Sequence, residues 1–167
     1  YHLRRLGHQV TVHDAGPMLG GMMRFGIPSY RLPRDILEAE MQRVVDMGVK
    51  VELNSKIDNI QETMQAGKFD AAFLAVGAHI AKRAYIPSNE VSKVVDAVSV
   101  LRSMESEDKP MLGRRVVVYG GGNTAIDVAR TAKRMGAEPI IVYRRTRDKM
   151  PAHDFEVEEA LQEGVMI

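Results

Sequence analysis

The chain has 167 residues, 45% hydrophobic and 27% charged, and a formal net charge of +1 from 23 Lys+Arg against 22 Asp+Glu. Those values exclude a chain disordered throughout, and the balanced charge leaves no bulk electrostatic footprint for nucleic acid. The absence of Cys excludes disulfides, zinc–thiolate sites, cysteine catalysis, Cys-ligated iron–sulfur clusters and a dithiol redox pair within these residues, and no apolar run approaches the roughly 20 residues that cross a bilayer. The chain opens on Tyr1 without a signal-peptide pattern, so the expectation is an internal piece of a longer cytoplasmic protein.

Residues 1–6 read as the end of a helix, with Gly7 as the residue beyond its C-cap. A short strand follows over 9–13 and ends at Asp14. Gly16, Gly20, Gly21 and Gly26, with Pro17, Pro28 and Pro33, predict a long ordered loop over 15–33. The apolar spacing of Ile36, Leu37, Met41, Val44, Val45 and Met47 predicts a helix over 34–47, ended by Gly48. Residues 49–53 alternate as a strand, and 58–66 form a weak helix. Residues 69–76 are nearly all apolar and end at Gly77, as in a buried strand. Residues 78–92 connect, with a turn at Pro87-Ser88-Asn89. A helical stretch over 94–104 and a polar segment over 105–113 lead into the second half.

There the pattern is cleaner. Arg115–Tyr119 is a strand, Gly120-Gly121-Gly122 follows at once, and 123–135 is a helix ended by Gly136. Residues 140–143 form the next strand, Arg144-Arg145-Thr146-Arg147 a basic loop, and 153–163 a helix ended by Gly164. Val165-Met166-Ile167 begins a further strand.

Gly120-Gly121-Gly122-Asn123-Thr124-Ala125 is a G-x-G-x-x-A turn. Gly120 makes the tight turn, Gly122 lets a pyrophosphate approach the backbone, and Ala125 keeps helix and strand close. The phosphates would lie on the N-terminus of the helix, where Asn123 and Thr124 sit and free N–H groups carry partial positive charge. Such a turn alone is weak evidence; the strand before it and the helix after it make the assignment. The plainer alternative is a glycine-rich turn that binds nothing. The next strand selects the dinucleotide. An NAD site places a carboxylate there, whereas this chain places Arg144 and Arg145. Guanidinium groups suit a 2′-phosphate. The plainer reading of those arginines is a solvated basic loop.

The first half has the pattern of a second βαβ unit without its beginning. Asp14 ends a strand that follows a helix, where a ribose-binding carboxylate belongs, although an isolated Asp is more often a turn residue. The five His show no metal-ligand spacing, the Glu156, Glu158, Glu159 and Glu163 cluster reads as a solvated helix face, and the 11 Met read as core.

These motifs, in order, resemble one family. Gly7-His8-Gln9-Val10-Thr11-Val12, Gly20-Gly21-Met22-Met23-Arg24-Phe25-Gly26-Ile27-Pro28 and Arg31-Leu32-Pro33 resemble the glutamate synthase small-subunit (β-chain) family. So do Phe73-Leu74-Ala75-Val76-Gly77-Ala78, the glycine turn through Asp127, Tyr143-Arg144-Arg145, Met150-Pro151-Ala152 and Glu163-Gly164-Val165. The resemblance implies an α/β fold of two Rossmann-like dinucleotide-binding lobes, with parallel strands and helices on both faces. One lobe, 1–97, is a partial FAD domain lacking its first glycine motif. After a linker over 98–113, the other, 114–167, is a C-terminally truncated NADPH domain.

By that resemblance Asp14 holds the FAD ribose, although the family usually has Glu there. Gly21 and Met22 lie beside the flavin, Ile57 meets the adenine, and Ala75 and Gly77 form the second FAD motif. Gly120, Gly122, Asn123, Thr124 and Ala125 carry the NADPH pyrophosphate, Arg144 and Arg145 its 2′-phosphate, and Glu156 lines the nicotinamide side. The implied activity passes electrons from NADPH through FAD to iron–sulfur centres and a larger catalytic subunit. Neither nucleic acid nor membrane is an expected partner. No catalytic acid or base is expected, because the cofactors supply the chemistry. FAD is not expected to be retained by this stretch, nor is the stretch expected to be active alone. Two alternatives stay open: an electron-entry subunit of another iron–sulfur reductase or formate-dehydrogenase-like complex, and a non-catalytic nucleotide-binding module.

Overall fold

The computed structural model describes residues 1–78, 86, 93–106 and 109–167. They fall into two units. The first comprises Tyr1–Arg24 and Ser29–Ala78; the second comprises Phe25–Pro28 and His79–Ile167.

In the first unit, α1 (His2–Arg5) turns into β1 (Thr11–His13), and α3 (Arg34–Asp46) leads to β2 (Lys50–Glu52) and α4 (Ile60–Gly67). Between them lies α2 (Gly21–Phe25). β1 and β2 are parallel, with Thr11 opposite Lys50 and His13 opposite Glu52. Leu37 and Val49 are its buried hydrophobic side chains. Arg4 fastens α1 to α3: its Nε donates to the Met47 carbonyl at 2.6 Å, beyond the last turn of α3. Asn59 caps α4, its Oδ1 accepting from the N–H groups of Gln61 and Glu62 at 3.1 and 3.3 Å.

In the second unit, α5 (Ala97–Ser103) is capped by Asp96, whose Oδ1 accepts from Ser99 N–H at 2.8 Å. It is followed by β3 (Arg115–Tyr119), α6 (Asn123–Arg134), β4 (Glu138–Val142), a short 3-10 turn at Arg147–Lys149, and α7 (Asp154–Gln162). β3 and β4 pair in parallel, from Arg115 opposite Glu138 to Tyr119 opposite Val142. Met166 adds a parallel bridge to Ile140, so the expected strand start at 165–167 is present. The core lies between this sheet and α6: Val118, Ile126, Ala129, Ile141, Val157 and Ala160 are buried together. The small side chains of Ala125, Ala129 and Ala132 let α6 approach closely, and α6 is buried continuously from Ala125 to Ala132.

Several expectations require correction. Residues 71–78 form no strand, and Phe73, Leu74 and Val76 are 86%, 70% and 75% exposed. An apolar run becomes a buried strand only between neighbours, and among the described residues the two sheets hold only β1 with β2 and β3 with β4. The loop expected over 15–33 contains α2. The linker expected over 98–113 contains most of α5, which packs on α6 and contributes Leu101 to the second core. Helices do not cover both faces of the β3–β4 sheet among the described residues: Val118 and Ile141 are buried, whereas Val117, Tyr119 and Val142 on the other face are exposed. The turn expected at 87–89 lies outside the described residues.

The Glu cluster on α7 is also not a solvated face throughout. Glu156 is 1% exposed. Glu159 and Glu163 hold the buried Arg130 of α6, with Nη1 to Glu159 at 2.7 Å and Nη2 to Glu163 at 2.6 Å; Arg134 adds a contact to Glu163 at 2.7 Å. The two donated hydrogen bonds from Arg130 hold the Glu163 carboxyl below the usual glutamate range, against the opposing effect of burial, with Arg134 adding to the lowering. Among the described residues, no helix is long and apolar enough to cross a membrane.

Candidate functional site

The strongest site is at the C-terminal ends of β3 and β4. β3 stops at Tyr119, and Gly120 N–H donates to the Val142 carbonyl at 3.1 Å, closing the sheet. Gly120 then turns with φ +152°, and Gly122 enters α6 in extended conformation without a side-chain cap. The Gly122 carbonyl accepts from Ala125 and Ile126. Among the described residues, the N–H groups of Gly121, Gly122, Asn123 and Thr124 donate to no protein acceptor. Four open donors at the start of a helix are an anion cradle, reinforced by the helix dipole.

The cradle is narrow at one glycine. A Cβ on Gly121 would lie 2.6 Å from the Tyr143 ring, closer than packed atoms approach. A Cβ on Gly122 would meet only the Pro151 side chain, at 3.9 Å. The segment after β4 folds back over the turn. Ala152 N–H donates to the Gly121 carbonyl at 3.1 Å, and His153 N–H to Asn123 Oδ1 at 3.2 Å. Asn123 therefore fastens the 150–153 segment through its side chain while its N–H stays open.

The basic loop is held as well. Lys149 and Met150 N–H donate back to Thr146 and Arg147, forming the 3-10 turn. Arg147 pairs with Glu158 at 3.0 Å, and Lys149 with Asp148 at 3.1 Å. Thr146 and then Lys149 hydrogen-bond the Asp148 carboxyl and hold it below the ordinary range. Arg144 and Arg145 have no carboxylate partner among the described residues, and Arg145 Nε donates to Tyr143 Oη at 2.8 Å. The two arginines of the loop without a counter-ion among the described residues thus follow β4 with only Tyr143 between. That is the position the sequence assigns to recognition of a 2′-phosphate.

The structure gathers Gly120, Gly122, Asn123, Thr124 and Ala125 into one turn. Ala125 is buried, and its Cβ is the atom a side chain on Gly120 would meet. Glu156 belongs to the same unit, on the buried side of α7 with Val157 and Ala160. In the first unit, Asp14 stands at the end of β1, and its Oδ1 accepts from Gly16 N–H at 2.7 Å, an Asx turn. Its carbonyl accepts from Ser55 N–H at 2.9 Å, which ties the segment after β2, two residues before Ile57, to the same strand end. Gly21 opens α2 with φ +49°, and Met22 follows it with a partly exposed side chain. Ala75 and Gly77, the latter with φ +71°, lie in the irregular 71–78 segment, so the second FAD motif is not assembled as a strand end. Sequence reasoning assigned no role to Gly121 or Tyr143. The signal was present: the middle position of the motif is itself glycine, and an aromatic residue ends the next strand.

Residues 1–166 match the family described as pyridine nucleotide-disulphide oxidoreductase. The chain is 41% identical over 172 residues to the NADP(+)-dependent formate dehydrogenase subunit beta of Moorella thermoacetica, covering 99% of this chain and 24% of that protein. It is 38% identical over 174 residues to the NADPH-Fe(3+) oxidoreductase subunit beta of Geobacter sulfurreducens, with 99% and 26% covered. To the glutamate synthase [NADPH] small chain of Escherichia coli it is 34% identical over 176 residues, with 98% and 37% covered. It therefore spans about a quarter to two-fifths of the length of these curated relatives. A solved 2-naphthoyl-CoA reductase complex shares the fold with a TM-score of 0.70 at 19% identity, over 96% of this chain and 23% of that one. The chain belongs to the pyridine nucleotide-disulphide oxidoreductase family, and its fold is of the Rossmann-like dinucleotide-binding type.

Proposed function

We propose that, as a member of this family, the chain is the electron-entry part of an NADPH-dependent flavin oxidoreductase subunit. In the whole protein, electrons would pass from NADPH through FAD to iron–sulfur centres and a larger partner subunit. One observation carries the reading: an open anion cradle at the start of α6 lies beside a strand followed by two arginines that no carboxylate neutralises among the described residues. The cradle suits a pyrophosphate, and the arginines suit a 2′-phosphate.

The chemistry supplied by the bound nucleotide is hydride transfer; the residues of this chain bind, orient and exclude water. Gly122 would leave the backbone accessible, Asn123 and Thr124 would offer N–H donors, and Arg144 and Arg145 would supply charge. In the first unit, Asp14 would hold the FAD ribose and Ile57 would meet the adenine; the bond from Ser55 N–H to the Asp14 carbonyl supports that reading. Gly21, Met22, Ala75 and Gly77 would meet the rest of FAD. Relatives whose names give formate, ferric iron and glutamate synthase as their chemistry each match 98–99% of this chain. That pattern supports a shared entry module whose acceptor is chosen elsewhere, by the partner.

Anaerobic mixing of the FAD-loaded full protein with NADPH tests the reading. Rapid bleaching of the flavin absorbance by NADPH, and slow bleaching by NADH, is the expected result. Tight NADPH binding with no bleaching would instead make this a nucleotide-binding module without redox function.

A further inference from the structure

Tyr143 lies where the two halves of the nucleotide site meet. Its ring fills the space in front of Gly121, so that even a methyl group there would collide with it at 2.6 Å. Its Oη donates to the Lys149 carbonyl at 2.8 Å, drawing the basic loop into a closed hoop. The same oxygen accepts from Arg145 Nε at 2.8 Å, and the Arg145 guanidinium carbon lies 5.4 Å from the ring centroid. One side chain therefore touches the pyrophosphate turn, the end of the loop and one arginine. With Nε occupied, the four Nη hydrogens of Arg145 remain for a ligand, and a bidentate contact to a phosphate needs that fixed planar edge. A long side chain held in one rotamer also loses less entropy when it binds.

We propose that Tyr143 is a positioning residue for dinucleotide choice: it fixes Arg145 and keys the 2′-phosphate loop to the glycine turn. The inference rests on the NADPH reading of the site. Tyr143 makes no contact with reacting atoms; it acts through Arg145.

The test is calorimetric titration of the full protein and its Tyr143→Phe, Arg145→Ala and double variants with NADPH and with NADH. Phenylalanine keeps the ring against Gly121 and deletes only the oxygen. Tyr143→Phe should weaken NADPH about five- to tenfold, within the range for one lost hydrogen bond, and leave NADH unchanged within about twofold. In the Arg145→Ala background the same change should have no further effect on NADPH. Equal weakening of both nucleotides, or full additivity in the double variant, would overturn the proposal by making Tyr143 merely structural. Discrimination lost in Arg145→Ala but kept in Tyr143→Phe overturns this inference alone. Discrimination kept in Arg145→Ala overturns the NADPH reading with it. Gly121→Ala provides a second measurement: by displacing the ring it should weaken both nucleotides and also lower their ratio, and an unchanged ratio counts against the coupling.

Discussion

Two apolar runs of this chain end at a glycine, and they take opposite forms. Arg115–Tyr119 before Gly120 is a strand, paired along its whole length with β4 and packed on α6. Residues 71–76 before Gly77 are irregular, with Phe73, Leu74 and Val76 largely exposed. The apolar pattern reads as a strand in both. The difference is company: α6 offers Ile126 and Ala129 to one face of β3, and β4 offers its hydrogen bonds to one edge. The 71–78 segment has no strand partner among the described residues. β-propensity describes fit to a half-buried pleated surface, and without that surface it does little. A nucleotide site at a strand end inherits this condition. The turn after β3 is fixed because β3 is fixed, whereas Gly77 terminates nothing regular.

The largest expected effect contrasts the two runs directly. Ile126→Ala empties space beneath β3 at a side chain 1% exposed, and should cost about 2–5 kcal/mol in urea unfolding. Leu74→Ala, in the exposed run, should stay within about 0.5 kcal/mol. Similar costs at the two positions would break the comparison. A smaller effect tests how α7 is fastened to α6. Glu163→Gln replaces a carboxylate that accepts from both Arg130 and Arg134, and should cost about 1–2 kcal/mol near neutral pH. Because the Glu163 carboxyl lies below its ordinary range in the folded state, its stabilising contribution is present above the unfolded range. It is lost as pH falls through the lower folded value. Thermal melts between neutral and acid pH should therefore show a flatter acid decline in the variant, and parallel declines would count against the ion-pair account.

Much of the second unit is legible without coordinates, for physical reasons. A run of β-branched residues, three glycines and an alanine-rich helix each restrict the backbone locally, and all agree on one βαβ unit. The strand Arg115–Tyr119 and the helix starting at Asn123 lie where that agreement puts them. What escaped depends on distant residues. Arg130 meets carboxylates 29 and 33 positions away, which no local pattern discloses. The pattern over 94–104 predicts a helix, but the membership of α5 in the second core depends on Leu101 finding α6. Tyr143 reads as an ordinary strand-end aromatic until its ring is seen against Gly121 and its oxygen against Arg145. At Asp14 only the strand end was predictable; its Asx turn to Gly16 depends on how the following loop closes.

The central claim is that the glycine turn, Arg144 and Arg145 form one site for a 2′-phosphorylated dinucleotide. Calorimetric titration of the unmodified protein with NADPH and with NADH at low salt tests it most directly. Two guanidinium contacts to a 2′-phosphate predict a preference for NADPH of at least roughly tenfold, narrowing as salt is added. Equal binding of the two nucleotides would contradict the account and return Arg144 and Arg145 to the status of a solvated loop.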